Sequence, residues 1–246
     1  MFDIEEVSEK LLECMSAEYI KQNVMISLES AEAYEAKSLI VPTDDRMTKN
    51  MKGVAVVPYI PVMEDDDGRA SVLVTNEMLE HYDLSAKDMF DAAYKNLDKE
   101  DVRIRPLTDV IMSMTLEGIM GDGADRCIRP EDLTGDIGDL YYVTNRSAYK
   151  GAISIFADDT YKKIGEAMGE YYIIPSSVHE VLIVSCESVE PGFISDIVKS
   201  VNGSGIVADN DILSNEVYKY DSNVESIVTL DMSGERTRTK ENDLEM

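Results

Sequence analysis

Long apolar runs are missing from this chain of 246 residues, and none approaches the roughly 18 to 20 residues that a membrane-spanning helix needs. Histidine is scarce, with two residues, and cysteine is limited to three, Cys14, Cys127 and Cys186. An odd number of widely spaced cysteines builds no disulfide framework and fits a reducing compartment. The opening Met1-Phe2-Asp3-Ile4-Glu5-Glu6 lacks the basic and apolar regions of a secretory signal, so a cytoplasmic location is expected. Positive charge is also thin: 23 Lys and Arg stand against 49 Asp and Glu, a formal net charge of −26. No basic stripe exists to neutralise phosphates, which excludes direct nucleic-acid binding. An anionic membrane would repel the same surface. The macromolecular partner that this charge admits is a basic protein.

What the chain does have is a core. Apolar residues make up 44%, too many for a disordered acidic tail, and a chain of this length buries roughly 70% of its unfolded surface. Helical spacing of Ile4, Val7, Leu11, Cys14 and Met15 predicts an amphipathic first helix. Strands are expected at 23–28 and 38–41, with a short helix or irregular hairpin between them. Residues 53–62 read as a strand that Pro58 and Pro61 restrict to a sheet edge or a strand end. Another strand is expected at 71–75, with Asn76 capping a short helix through His81. Ser85-Ala86-Lys87-Asp88 approximates a capping box that opens a helix carrying Met89, Ala92, Ala93 and Leu97. A further helix is expected over 107–116.

Residues 118–139, rich in glycine and aspartate, read as a linker or long loop. They divide an N-terminal α+β half, 1–117, from a C-terminal half, 140–232, ahead of a polar tail, 233–246. In the C-terminal half, strands are expected at 140–145 and 151–156, a helix after Asp158 or Asp159, and strands at 171–175 and 181–185. A helix starting at Pro191, a short helix over 212–220 and a strand over 226–232 complete it. The order ββαββα predicts an α+β fold with a mostly antiparallel sheet and helices packed on one face.

Few motifs carry chemistry. Ser176, Ser177, His179 and Glu180 form the one constellation that does: Ser177 as nucleophile, His179 as base and Glu180 or a distant Asp orienting the ring would make a hydrolase. Against it stands the more ordinary role of such residues, in which turn hydroxyls satisfy backbone amides and the imidazole bonds a neighbouring strand. No G-x-S-x-G elbow is present. His179-Glu180 begins a zincin motif, but Ile183 stands where its second histidine is required. The acidic turns at 65–68 and 122–125 lack the alternating ligands and closing Glu of a calcium loop. No metal and no cofactor is expected, and nucleotide-binding glycine motifs are absent. Cys127, near Arg126 and Arg129, sits where positive charge would favour a thiolate.

Three strings carry a resemblance: Leu140-Tyr141-Tyr142-Val143-Thr144-Asn145, Lys150-Gly151-Ala152, and Tyr171-Tyr172-Ile173-Ile174-Pro175-Ser176-Ser177-Val178-His179-Glu180. Together with Asp211-Ile212-Leu213-Ser214-Asn215-Glu216-Val217-Tyr218, they resemble domain of unknown function 5688, a family of anaerobic Firmicutes, most strongly over residues 140–220. The resemblance implies no activity, substrate or cofactor. It does imply that Asn145 and the turn from Ser176 to Glu180 belong to the family's signature. The function expected first is therefore a non-enzymatic binding or regulatory module that uses Asn145, Ser176, Ser177 and His179. A hydrolase using Ser177 and His179 comes next, and an acidic nucleic-acid mimic that occupies a basic protein third.

Overall fold

The computed structural model describes residues 15–37, 40–42, 44–65, 68–116, 127–136, 138–203, 205 and 207–230. Nearly all of the expected first helix, the tip of the acidic turn at 66–67, the glycine-rich stretch 117–126 and the polar tail lie outside them. The fold is mixed α+β, with two antiparallel sheets of three and six strands.

Ser16 opens α1 (Ala17–Asn23), its hydroxyl accepting the Tyr19 amide at 3.1 Å. The smaller sheet follows, in the order β1 (Met25–Ser30), β2 (Val54–Asp65), β3 (Gly68–Leu73). Ser30 caps the short α2 (Ala31–Glu35). Of the strand expected at 38–41, residues 38 and 39 lie outside the described residues, and Ile40 and Val41 belong to a turn in which both donate to the Lys37 carbonyl. The two prolines do not confine their strand to an edge, because β2 is the middle strand of its sheet. Residues Val54–Tyr59 of β2 pair with β1, and from Tyr59 onward the pairing passes to β3. Pro58 and Pro61 each therefore have one flank outside the ladder, where a missing N–H breaks no strand bond.

Thr75, not Asn76, caps α3 (Asn76–His81). Ser85 caps α4 (Ala86–Leu97) as expected, its Oγ accepting the Asp88 amide at 3.1 Å, and the Asp88 carboxylate reaches back to the Ser85 hydroxyl at 2.8 Å, where a full capping box would use the backbone N–H. Met89, Phe90, Ala93 and Leu97 bury one face of α4, against α1 and β1.

The larger sheet runs in the order β4 (Val102–Pro106), β5 (Leu140–Asn145), β7 (Val181–Ser185), β6 (Tyr171–Ile174), β8 (Tyr218–Asp221), β9 (Ser226–Thr229). Helices α5 (Leu107–Leu116), α6 (Thr160–Met168) and α7 (Pro191–Gly203) interrupt these strands. Two expectations fail here. Residues 151–156 are not a strand but part of a 3-10 segment, Gly151–Asp159. All seven residues from Gly151 to Ala157 are buried, so the run has no exposed face whose period could separate strand from helix. Residues 212–217, expected to be helical, are irregular and lead into β8.

The 3-10 segment lies against β1, β5 and α4, and so fills the space between the two sheets. One apolar cluster runs from Ile20 to Ile227 and takes residues from both sheets. A smaller cluster occupies the other face of the large sheet, where Ile194 and Val198 of α7 cover Tyr172, Ile174 and Val184. The connection leading into β2 is tied to the large sheet by hydrogen bonds: Tyr218 Oη donates to the Lys52 carbonyl at 2.6 Å and the Thr229 amide to that of Asn50 at 2.9 Å.

Candidate binding site

β5 ends at Asn145, and the chain must turn at once into the buried 3-10 segment. The Asn145 side chain makes that turn. Its Oδ1 accepts from the Ser147 hydroxyl at 3.1 Å and the Tyr149 amide at 3.3 Å, while Nδ2 donates to the Tyr149 carbonyl at 3.0 Å. Ala148 and Lys150 both adopt left-handed backbone, with φ of 49° and 51°. A side-chain residue pays steric energy there, of the order of 1–2 kcal/mol, so the surrounding bonds must hold the loop.

His179 supplies the second clamp. Its Nδ1 accepts the Lys150 amide at 3.0 Å, and its carbonyl accepts the Thr144 hydroxyl at 2.7 Å. An imidazole nitrogen that accepts a hydrogen bond carries no proton, so the ring proton sits on Nε2, which lies 3.7 Å from Asp211 Oδ1. The turn before it is held internally. Ser177 Oγ accepts the His179 amide at 2.9 Å, and the Ser177 amide donates to the Glu180 carbonyl at 3.3 Å. The hydroxyl of Ser177 makes no bond to either imidazole nitrogen, and the residue is buried. Gly151 is packed between these two segments. A Cβ there would lie 2.3 Å from Thr144 Oγ1 and 2.7 Å from the His179 carbonyl.

The residues singled out in the sequence therefore do not share one surface. Ser176 lines an apolar cleft of about 250 Å³ between α7 and the large sheet, whose walls include Leu182, Val184, Phe193 and Ile197. Ser177 and His179 sit in the turn itself. Glu180 places its charge near the Tyr142 hydroxyl, adding to the burial that pushes that phenol up. Asn145 faces a different cleft, of about 240 Å³, between the small sheet and the 145–150 loop.

Sequence reasoning missed most of this second cleft. Its lining takes Met25 from β1, Tyr59 and Pro61 from β2, Arg69 and Ser71 from β3, and Glu100, Ser147 and Tyr149 from elsewhere in the chain. The Glu100 carboxyl accepts from Ser154 Oγ at 3.3 Å and is bonded by Asn145; burial outweighs both bonds and pushes its pKa up. The aromatic faces carry cations. The Arg69 guanidinium lies 5.4 Å from the Tyr149 ring centre, and Lys150 Nζ lies 4.5 Å from that of Tyr59. Lys150 also reaches Glu29, at 3.5 Å, whose other oxygen pairs with Lys37. No local spacing signals these contacts, because they join residues 59, 69, 100 and 149 across both sheets. Cys127 meets Arg103, whose Nη1 is 3.4 Å from its sulfur; Arg126 lies outside the described residues.

No group of three or more His, Cys, Asp or Glu among the described residues is arranged to hold a metal. Nor is any described helix long and apolar enough to cross a membrane. The model of the family of unknown function DUF5688 matches residues 3–222. The chain belongs to that family. The match extends well beyond the 140–220 stretch in which the resemblance is plainest, so the small sheet and its face of the second cleft belong to the DUF5688 unit too. No curated protein and no solved structure matches the chain.

Proposed function

We propose that this DUF5688 protein is a cytoplasmic, non-enzymatic binding module, and that it receives its ligand in the cleft between the small sheet and the 145–150 loop. The observation that carries this reading is where the polar groups are committed. His179 Nδ1 is taken by the Lys150 amide and Ser177 Oγ by the His179 amide. A serine hydrolase needs the hydroxyl hydrogen-bonded to the basic nitrogen, and here both groups hold backbone. The neighbouring cleft, in contrast, gathers polar and aromatic side chains from distant parts of the chain around an open volume, the usual make-up of a ligand site.

A fluorophosphonate probe tests the choice between binding and hydrolysis. Native protein is expected to remain unlabelled under conditions that label an authentic serine hydrolase. Covalent modification of Ser177, abolished by His179→Ala, would overturn the reading. The net charge of −26 favours a basic ligand or partner through long-range attraction, so a partner captured from lysate at low salt should be released at high salt.

A further inference from the structure

Resting on that reading of the cleft, the geometry points to an alkylammonium ion as its ligand, with Glu100 as the counter-charge and the rings of Tyr59 and Tyr149 as the walls. Three observations converge. First, Glu100 is the carboxyl of the cleft, and among the described residues its side-chain partners are the neutral Asn145 and Ser154. Among the described residues it forms no ion pair, whereas Glu29 on β1 is paired with both Lys37 and Lys150. A carboxyl drawn out of water without a cation lacks the partner that would make its ionised form favourable. An ammonium group entering the cleft supplies it.

Second, the two tyrosine rings present electron-rich faces to cations. Lys150 Nζ already lies over Tyr59 and the Arg69 guanidinium over Tyr149. Rings that accept the protein's own cations at 4.5 and 5.4 Å are suited to a ligand cation beside a carboxylate. Third, Met25, Pro61 and Ala70 add an apolar lining that would bury the methylene stem of an alkylamine while its head reaches the carboxylate. The guanidinium of the lining, that of Arg69, is held over the Tyr149 ring, and an anionic ligand would have to approach Glu100 in a molecule of charge −26. The same chemistry is offered by a free amine and by a lysine side chain of a basic polypeptide.

The test is a titration of full-length protein labelled with methyl-¹³C methionine, the Met25 resonance being assigned by Met25→Leu. The probes are n-butylammonium for the free amine, Nα-acetyl-lysine methylamide for the lysine side chain, and butyrate and 1-butanol as anionic and neutral controls. Expected are saturable movement of Met25 with an ammonium probe, little with the controls, and at least about tenfold weaker binding in Glu100→Gln, the loss of about 1.4 kcal/mol. Tighter binding of the lysine derivative than of butylammonium assigns the site to a polypeptide, and the reverse order to a free amine. Tyr149→Leu provides a second variant that leaves Glu100 in place and is expected to weaken binding several-fold. Equal response to butanol and butylammonium, or unchanged binding in both variants, would overturn the inference. A response to butyrate alone would also overturn it while leaving the cleft as a binding site. Labelling of Ser177 would overturn the parent reading independently.

Discussion

Gly151→Ala is the most revealing single substitution, because it strikes the contact between the two clamps of the 145–150 loop. The added Cβ would lie 2.3 Å from Thr144 Oγ1, 2.7 Å from the Asn145 amide nitrogen and 2.7 Å from the His179 carbonyl oxygen. Two of these three atoms belong to backbone, so no rotamer change relieves the contact. Forcing a methyl into such a site costs about 1–3 kcal/mol. The 2.7 Å bond from Thr144 to the His179 carbonyl crosses the same gap, and losing it adds about 1 kcal/mol. Together these give about 2–4 kcal/mol, or a fall in Tm of roughly 5 to 15 °C for a protein of this size. Urea unfolding followed by circular dichroism measures the energy. Histidine NMR reports the cause, since separating the segments should disturb the imidazole that accepts the Lys150 amide. A variant with native stability and an unmoved His179 signal would refute the packing argument.

Gly165→Ala makes a second packing test: its Cβ would meet Tyr220 ring carbons at 2.1 and 2.7 Å, so it should destabilise by about 1–3 kcal/mol despite alanine's helix advantage. In a Tyr220→Ala background the same change should become neutral or stabilising by up to about 1 kcal/mol, and an equal effect in both backgrounds would count against it. Burial raises the Glu100 pKa, so the folded state holds that proton more tightly, and the contribution is present in acid and lost as pH rises through the folded value. Glu100→Gln should therefore gain stability over native protein at neutral pH, with the difference closing below about pH 4; a gain independent of pH would contradict this. Burial also raises the phenols of Tyr171 and Tyr218, while unfolded tyrosines ionise near pH 10. Stability should fall as pH passes that value, and tyrosinate absorbance should rise together with the loss of far-ultraviolet ellipticity rather than before it.

How far this fold could be read from its residues depended on how far each signal reached. The α4 cap was legible because Ser85 and Asp88 form a local motif, and α5 because its boundaries coincide with Pro106 and the end of an apolar run. The strand pairs β6 and β7 announced themselves through β-branched and aromatic runs separated by a Pro-Ser-Ser turn. Residues 151–156 misled for the opposite reason: a segment buried on every side loses the periodicity that distinguishes one backbone from another. In β2 the proline rule was sound, but it applies flank by flank, and each proline found its unpaired flank within a middle strand. Asn145 and His179 were visible as polar residues in a turn, whereas Glu100, Tyr59 and Arg69 become part of a cleft only through the packing of the two sheets.

That division has a physical cause. Asn145 and His179 act on the backbone of the 145–150 loop, Asn145 holding Tyr149 through two hydrogen bonds and the His179 ring holding the Lys150 amide through one. Ala148 and Lys150 are left-handed without being glycine, and a strained loop of that kind persists only where its surroundings over-determine it. The strain has a product: it aims the Tyr149 ring at Arg69 and the Lys150 ammonium at Tyr59 and Glu29. The polar residues of the turn therefore position the groups that face the cleft. Replacing Asn145 or His179 should affect ligand binding by releasing Tyr149, even though neither chemistry nor charge recognition is assigned to the residue replaced.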